Sequence, residues 1–538
     1  GDVGGGFGVK LHLYADEIAA VLVSRLLAQP VKYVVTRIES FQSDVQAREF
    51  DVVASISFLE NGEICGMEAD FKNAIGAYSI FPRSSIGDSI QAATQLGAPY
   101  KIKWMKSKAQ TFWQHKAPSG AIRGVGMPIP CTITEQLMDM AARYLSHDPA
   151  KFRLQHYHAD NDYPLKTLGG IYMDKLSLKE SLELLLEKMS YDELRLEQKR
   201  LRSKGMLRGI GIATFVEQTA LGPELYGGTG IPITSIEECR IRLEADGSIR
   251  VETGATDQGQ GTLTGIRQIV AEILGVAFSN VQISGGGSFG ARGGGAWASR
   301  GLSLAGEAAA LAAGDLRNNI LELAGSLLQS LPSQLELSHG VIIEADVEKI
   351  SLRELSKMVW YQPYNLPKGA ADLTSVSRCF TLEGRPHLMA NGVQGSVVEI
   401  DIDTGKVKPL EHWVVEDCGN IINRRLVDGQ VIGGVAQGIG AALSENCVYD
   451  ESGQLLTGSF QDYAVSRADD LPPIQVYHVT TPQEGTKLGI KGVGEAGTIG
   501  SPAALWGAVN DAIAHLGARV NSQPITSESV LNAILNGE

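Results

Sequence analysis

Apolar and polar positions alternate with a period of two along residues 51–72, on either side of Glu60-Asn61-Gly62, and again along 236–253 around Asp246-Gly247. Each stretch predicts two strands joined by a tight turn, because successive strand side chains face opposite sides and Asn-Gly or Asp-Gly accepts positive φ. A spacing of three and four predicts helices over 130–146, 178–203, 262–275, 302–329 and 501–516. Ser501 reads as the N-cap of the last of these, with Pro502 in its first turn. The stretch 178–205 is rich in Leu, Glu, Lys and Arg, ends at Gly205, and reads as a connection between two halves. Hairpins interleaved with helices predict an α+β protein of two large mixed domains rather than a strictly alternating parallel sheet. The division expected is 1–178, a helical 179–205, and 206–538.

Sixty-two glycines concentrate in runs at 1–8, 285–295, 429–440 and 485–500. Glycine allows positive φ and close backbone approach, so each run is either a loop against a ligand or a crowded turn. Gly4-Gly5-Gly6-Phe7-Gly8 could be half of a dinucleotide fingerprint, which needs a preceding strand that would lie outside this chain. Asp257-Gln258-Gly259-Gln260-Gly261 leads into the helix at Thr262, and Gly285 to Gly301 follows it. A glutamine amide beside helix-start N–H groups suits an oxygen-rich or pterin-like ligand, or is simply a capped helix with its loop. The glycines of 429–440 would each cost an isolated helix about 1 kcal/mol, so another helix or a cofactor must pack on them. Lys491-Gly492-Val493-Gly494-Glu495-Ala496-Gly497 places one carboxylate in a glycine loop, where it is either a base of shifted pKa or a solvated side chain.

Composition narrows the partners. The 538 residues are 43% hydrophobic and 20% charged, enough for about two to four domains with cores. A formal charge of -14 and a pI near 5.3 disfavour a broad nucleic-acid or anionic-membrane surface, leaving small molecules and protein subunits. Six cysteines without a Cys-x-x-Cys signal neither zinc nor an iron–sulfur cluster and fit a reducing compartment. No stretch approaches the roughly 20 apolar residues of a membrane span, and the glycine-rich start is unlike a signal peptide. A cytoplasmic location is the expectation. Because Gly1 opens directly on a glycine loop, an upstream part is expected to be missing. Elsewhere, His156 and His158 near Asp160 are either metal ligands or two surface residues after a helix. Cys131 reads as a structural thiol or a pocket residue, and Trp297, Phe289 and Phe215 as a planar channel or core filling.

Taken together and in this order, the glycine stretches resemble the molybdenum hydroxylases: xanthine oxidase, aldehyde oxidoreductase and the bacterial N-heterocycle hydroxylases. The likeness runs from Gly1 to about Ala518. It takes in Ala121-Ile122-Arg123-Gly124-Val125-Gly126, Glu416-Asp417-Cys418-Gly419 and Phe460-Gln461-Asp462-Tyr463. It implies two molybdopterin-binding domains, the first lacking its N-terminal part, with molybdopterin and its molybdenum between them. The pterin's cytosine dinucleotide form is one form the family uses. Gly6, Phe7, Gly8, Arg123, Gln260, Ala298, Ser299, Gln437 and Gly494 fall at cofactor-contacting positions, and no protein atom is expected to ligate the metal directly. Glu495 falls at the catalytic glutamate. As the resemblance implies, it removes a proton from a hydroxyl on molybdenum so that an oxygen originating from water attacks an electrophilic carbon as hydride leaves.

Arg123 also falls beside the substrate cavity, where it could stabilise developing charge or serve as a structural partner. Leu11 stands where purine-oxidising members carry an acid, which points away from xanthine. The cysteine loop of carbon monoxide dehydrogenases is absent around Ala117 to Arg123, and Arg424 follows Asn423 where the family usually has proline. The resemblance further implies partner subunits: [2Fe-2S] clusters on one, FAD on another, and a separate chain for the missing N-terminal part. Hydroxylation of an aromatic N-heterocycle or an aldehyde is the leading expectation. A non-catalytic cofactor-holding subunit and a nicotinamide-dependent dehydrogenase are the alternatives.

Overall fold

The computed structural model describes residues 2–287 and 290–536, so Phe289 lies outside the described residues. Both predicted hairpins form. Phe50–Phe58 pairs antiparallel with Ile64–Ala74, turning at Gly62 with φ +87°, and Trp104–Phe112 adds in parallel. Glu237–Leu243 pairs with Ile249–Thr253 through Gly247 at φ +84°, flanked by Ser375–Phe380 and Val281–Gly285.

A further four-stranded sheet runs in the order Ile474–His478, Val407–Asp417, Leu388–Ile400, Leu207–Thr219. Its two long antiparallel strands, Leu207–Thr219 and Leu388–Ile400, are buried almost throughout, because helices cover both faces. On one face Met389, Val393 and Val397 share a core with Leu182, Leu185 and Met189, and on the other Val398 and Val414 join Leu505, Ala508 and Val509. The 178–203 stretch is two helices, Leu178–Lys188 and Tyr191–Arg202, broken at Ser190, whose φ is +49°. A separate core forms around the 28-residue helix Gly301–Leu328, whose alanines let the neighbouring strands and Thr262–Leu274 approach closely.

Two expectations change. The last long helix begins at Ala496, with Glu495 at its N-cap, and Pro502 sits inside it. Proline forfeits one backbone hydrogen bond, but nearly every side chain of Ala496–Ile513 is buried, and that burial outweighs the loss. Among the described residues one helix, Arg424–Leu443, is long and apolar enough to cross a membrane by length and composition. Its apolar, glycine-rich face is explained by a helix partner: a Cβ on Gly438 would lie 1.9 Å from Ser501 Oγ, and one on Gly434 would lie 2.9 Å from Gly497 Cα. Arg424, where proline was expected, occupies the first helical position after the N-cap Asn423, whose side chain accepts from Leu426 N. A backbone N–H there has no helical partner, so proline has no exclusive claim, and Arg424 pairs instead with Asp428 at 3.5 Å.

Candidate active site

The loop Lys491–Glu495 is stitched to the central sheet before it enters the helix. Lys491 N donates to Cys418 O (2.7 Å), Gly492 N to Thr219 Oγ1 (3.1 Å), and Glu495 N to Glu217 Oε1 (3.2 Å). Gly492 admits no side chain, since a Cβ would sit 2.5 Å from Ser299 Cβ. Glu495 is thereby held nearly buried, at 9% exposure, with Oε1 accepting from Gly124 N at 3.0 Å. Burial pushes its carboxyl above the ordinary range; the Gly124 hydrogen bond and then Arg123, Arg83 and Arg48 pull it back. A carboxylate so placed is a stronger base than a solvated one and still has a donor to fix its direction.

The donor comes from the 121–126 loop. Gly124 has φ +89° and Val125 φ +50°, and a Cβ at Gly126 would meet Asp88 O at 2.3 Å. Arg48 Nη1 holds the loop by donating to the carbonyls of Ile122 (3.0 Å), Arg123 (2.8 Å) and Val125 (3.3 Å). His12, lowered to about 4 chiefly by burial and then by Arg83, is neutral and accepts Ala121 N at 2.9 Å.

Arg123, 7% exposed, reaches across: Nε donates to Gly494 O (2.5 Å) and Nη2 to Gln430 O (2.8 Å). Its backbone N donates to Phe7 O (2.7 Å), and its guanidinium carbon stands 5.8 Å from the Phe7 ring centroid. One side chain thus ties three of the glycine stretches together. Lysine cannot satisfy both carbonyls in that fixed geometry, so Arg123→Lys is expected to lower kcat about 10- to 100-fold through misplacement of the Glu495 loop. Steady-state kinetics set against cofactor content checks this.

The remaining expected residues divide. Phe7 has φ +50° and is 54% exposed, and the Gly8 backbone approaches Ala121 so closely that a Cβ would lie 2.4 Å from its carbonyl oxygen. Gly6 packs on Gln258, and Leu11 is half-buried in the single turn Val9–Leu11. Ala298 and Ser299 are consecutive left-handed residues, φ 51° and 49°, with Ala298 O accepting Ala220 N (2.8 Å). The fully buried pair Arg300–Glu237 (2.8 Å) anchors the loop behind them. Gln437 is half-buried on Arg424–Leu443. Gln260 is turned into its own loop, with Nε2 on Thr256 O (3.0 Å) and Oε1 accepting Gln258 N (2.6 Å). The N–H groups of Gly259, Gly261 and Leu263 are spent on Asp257, so the free donors expected at this helix start are occupied.

Elsewhere the bland readings prevail, with one change. His156 is a core residue, not a surface one, with its nitrogens at Phe152 O (2.7 Å) and Gly62 O (3.1 Å). Among the described residues no group of three or more His, Cys, Asp or Glu is placed to hold a metal. Phe215 is fully buried with Met127, Ala496 and Ile499, so it fills core and lines no channel. Trp297 stacks on Tyr226 at 5.5 Å between centroids. Cys131 donates to Thr214 O (3.5 Å) from a packed site.

Arg48, Glu217 and Gln430 escaped the sequence reading. Glu217 had a legible signal, a lone carboxylate directly after the largely apolar run Ile210 to Val216, whereas Arg48 and Gln430 act through backbone carbonyls that no motif reports.

The arrangement fits a pterin-type group. Left-handed backbone at Ala298 and Ser299 and positive φ at Gly5, Gly8 and Gly259 bring main chain, rather than side chains, to the rim. A Cβ on Gly4, Gly259 or Gly429 would meet nothing within 4 Å, and the Phe7 ring is exposed, so these backbones are open to a ligand.

Comparison with known proteins agrees. The molybdopterin cofactor-binding domain families match residues 1–157 and 184–472. The chain is 32% identical to the nicotine 6-hydroxylase large subunit of Paenarthrobacter nicotinovorans over 99% of its own length and 65% of that protein's. It is 27% identical to the carbon monoxide dehydrogenase large chain of Hydrogenophaga pseudoflava, over 99% and 66%. Quinoline 2-oxidoreductase of Pseudomonas putida 86 superposes with a TM-score of 0.93 at 31% identity, covering 99% of this chain and 68% of that one. The chain therefore spans about two thirds of the length of these relatives. With a buried glutamate at a helix start, left-handed and glycine backbone around it, and both domain families matched in order, the chain belongs to the molybdopterin-binding large subunits of the xanthine oxidase family of molybdenum hydroxylases.

Proposed function

We propose that the complex containing this chain hydroxylates an aromatic N-heterocycle, taking the oxygen from water, with Glu495 as the base. The observation that carries the reading is Glu495 itself: nearly buried, aimed by Gly124 N, and flanked by Arg123. Molybdopterin, when bound, supplies the two-electron redox centre and the activated oxygen. Phe7, Gly8, Ala298, Ser299 and Gly494 would hold it through close backbone approach, with Gln437 as the available amide, whereas Gln260 would reach it only by giving up its contacts to Thr256 and Gln258.

The chain's own residues do the rest. Glu495 is ionised and competent above its raised pKa, and it takes a proton as the oxygen becomes nucleophilic. Arg123 holds Gly494 and hence Glu495 in place. Its Nη1, which makes no hydrogen bond among the described residues, is available to a developing negative charge at a ring nitrogen. Phe7 offers an exposed aromatic face to a planar substrate.

Leu11, where an acid would serve a purine, favours a less polar ring. The names of the nicotine and quinoline enzymes favour the pyridine and quinoline class over purines and aldehydes. The pterin in its cytosine dinucleotide form, and iron–sulfur and flavin subunits to carry electrons away, complete the proposal. The six unpaired cysteines suit a reducing compartment. A purely cofactor-holding chain is the weaker reading, because it leaves Glu495 and its clamp without a purpose.

The test is metal analysis of the native complex with turnover of a pyridine or quinoline ring in ¹⁸O-labelled water. About one molybdenum per chain and label in the hydroxylated product are expected. Molybdenum-free protein with full activity would refute the reading.

A further inference from the structure

The second carboxyl of the site, Glu217, has no part in the reaction as described. It lies on Leu207–Thr219 with no exposed surface. Its Oε1 accepts two donors, the backbone N of Glu495 (3.2 Å) and the hydroxyl of Ser299, while Oε2 has no hydrogen-bond partner among the described residues. Glu217 therefore joins the catalytic loop to the left-handed Ala298-Ser299 turn through one oxygen and leaves the other free. A bare anionic oxygen in that position would be poorly compensated, since a buried charge lacking a full set of donors is expensive.

The charges around it reinforce this. Glu495 adjoins it in the loop, and Glu416 lies on the same sheet face two strands away: Glu217 pairs with Ala390 and Glu416 with Gly392. Arg123 faces it, but is already committed to Gly494 and Gln430. Arg83 and Arg48 act on Glu495 instead.

We propose that Glu217 is a positioning residue for the hydroxylation: a neutral, protonated carboxyl that pins the Glu495 backbone to Ser299 and keeps a second negative charge away from the base. This rests on the reading of Glu495 as the base. Burial first, and then the Glu495 charge, push Glu217 up to about 8, well above the ordinary carboxylate range. The sign for stability follows. A carboxyl raised in the folded state contributes stability that is fully present below the ordinary carboxylate pKa and is lost progressively as pH rises from there to about 8.

Infrared titration of the intact complex tests the charge state without relying on turnover. Wild type should show a protonated-carboxyl band that disappears with a midpoint near pH 8. Glu217→Gln should lack that band, and in Glu495→Gln the midpoint should fall because the neighbouring charge is gone. In kinetics, Glu217→Leu should lower kcat about tenfold or more at pH 7, and Glu217→Gln, whose amide oxygen still accepts both donors, should restore most of it. Should the leucine variant not fold, the glutamine variant decides by its infrared titration alone. A band that persists unchanged in Glu217→Gln, or a carboxyl already ionised below pH 6, would overturn the proposal even if Glu495 proves to be the base. Loss of turnover in Glu495→Gln has no bearing on the band, so the two readings fail separately.

Discussion

Glu495→Gln is expected to lower kcat/KM by about 10²–10⁴-fold while the complex keeps its molybdenum and pterin, the range that follows when a proposed general base is replaced by its neutral isostere. Glutamine can still accept Gly124 N through its amide oxygen, so the 3.0 Å contact and the loop survive and only the proton acceptor is lost. In wild type the same carboxyl is expected to set the acid side of the pH profile. Because burial raises it, activity should fall as pH drops through a value above the ordinary carboxylate range and should be fully present only above that value. Metal analysis, thermal unfolding and the pH dependence of kcat/KM on both proteins check the three parts together. A variant that loses metal in step with activity would assign Glu495 to cofactor retention instead.

The position of the candidate base was more legible in the sequence than the packing around it. A glutamate within Lys491 to Gly497 stands out because glycines on both sides need a reason, and the structure supplies one in Ser299 and Thr219, against which any Cβ at Gly492 would collide. The hairpins at Asn61-Gly62 and Asp246-Gly247 were equally plain, since positive φ at the turn is a local demand. What failed was local reasoning applied to buried elements. Ser501-Pro502 resembles a helix start by every capping rule, yet the helix runs through it because tertiary burial outweighs one missing hydrogen bond. The glycines of 429–440 admitted a helix or a cofactor as their partner, and a stripe of small residues could not choose between them. Arg48 was invisible because its three acceptors are carbonyls, which carry no residue identity.

That small-residue stripe gives the other large expected effect. Gly497, two residues beyond the base, lies where Ala496–Ile513 crosses Arg424–Leu443, and a Cβ there would stand 2.3 Å from Val431 O and 2.6 Å from Val435 N. Both are backbone atoms of a helix, so neither can rotate aside, and the two helices must separate. Gly497→Ala is expected to cost about 1–3 kcal/mol of stability, the usual range for overpacking, despite alanine's better helix propensity. Gly497→Val should cost more. The catalytic consequence should exceed the thermodynamic one, because moving the start of this helix moves Glu495 away from Gly124 N and from the turn at Ser299. A displacement of about 1 Å at a reacting group is worth on the order of 10²-fold in rate. Thermal unfolding and kcat measured on the same preparations decide the matter. A variant of lowered stability with wild-type kcat would show that the helix crossing can open without disturbing the base, and would place the rigidity of Glu495 in the Glu217 and Arg123 contacts alone.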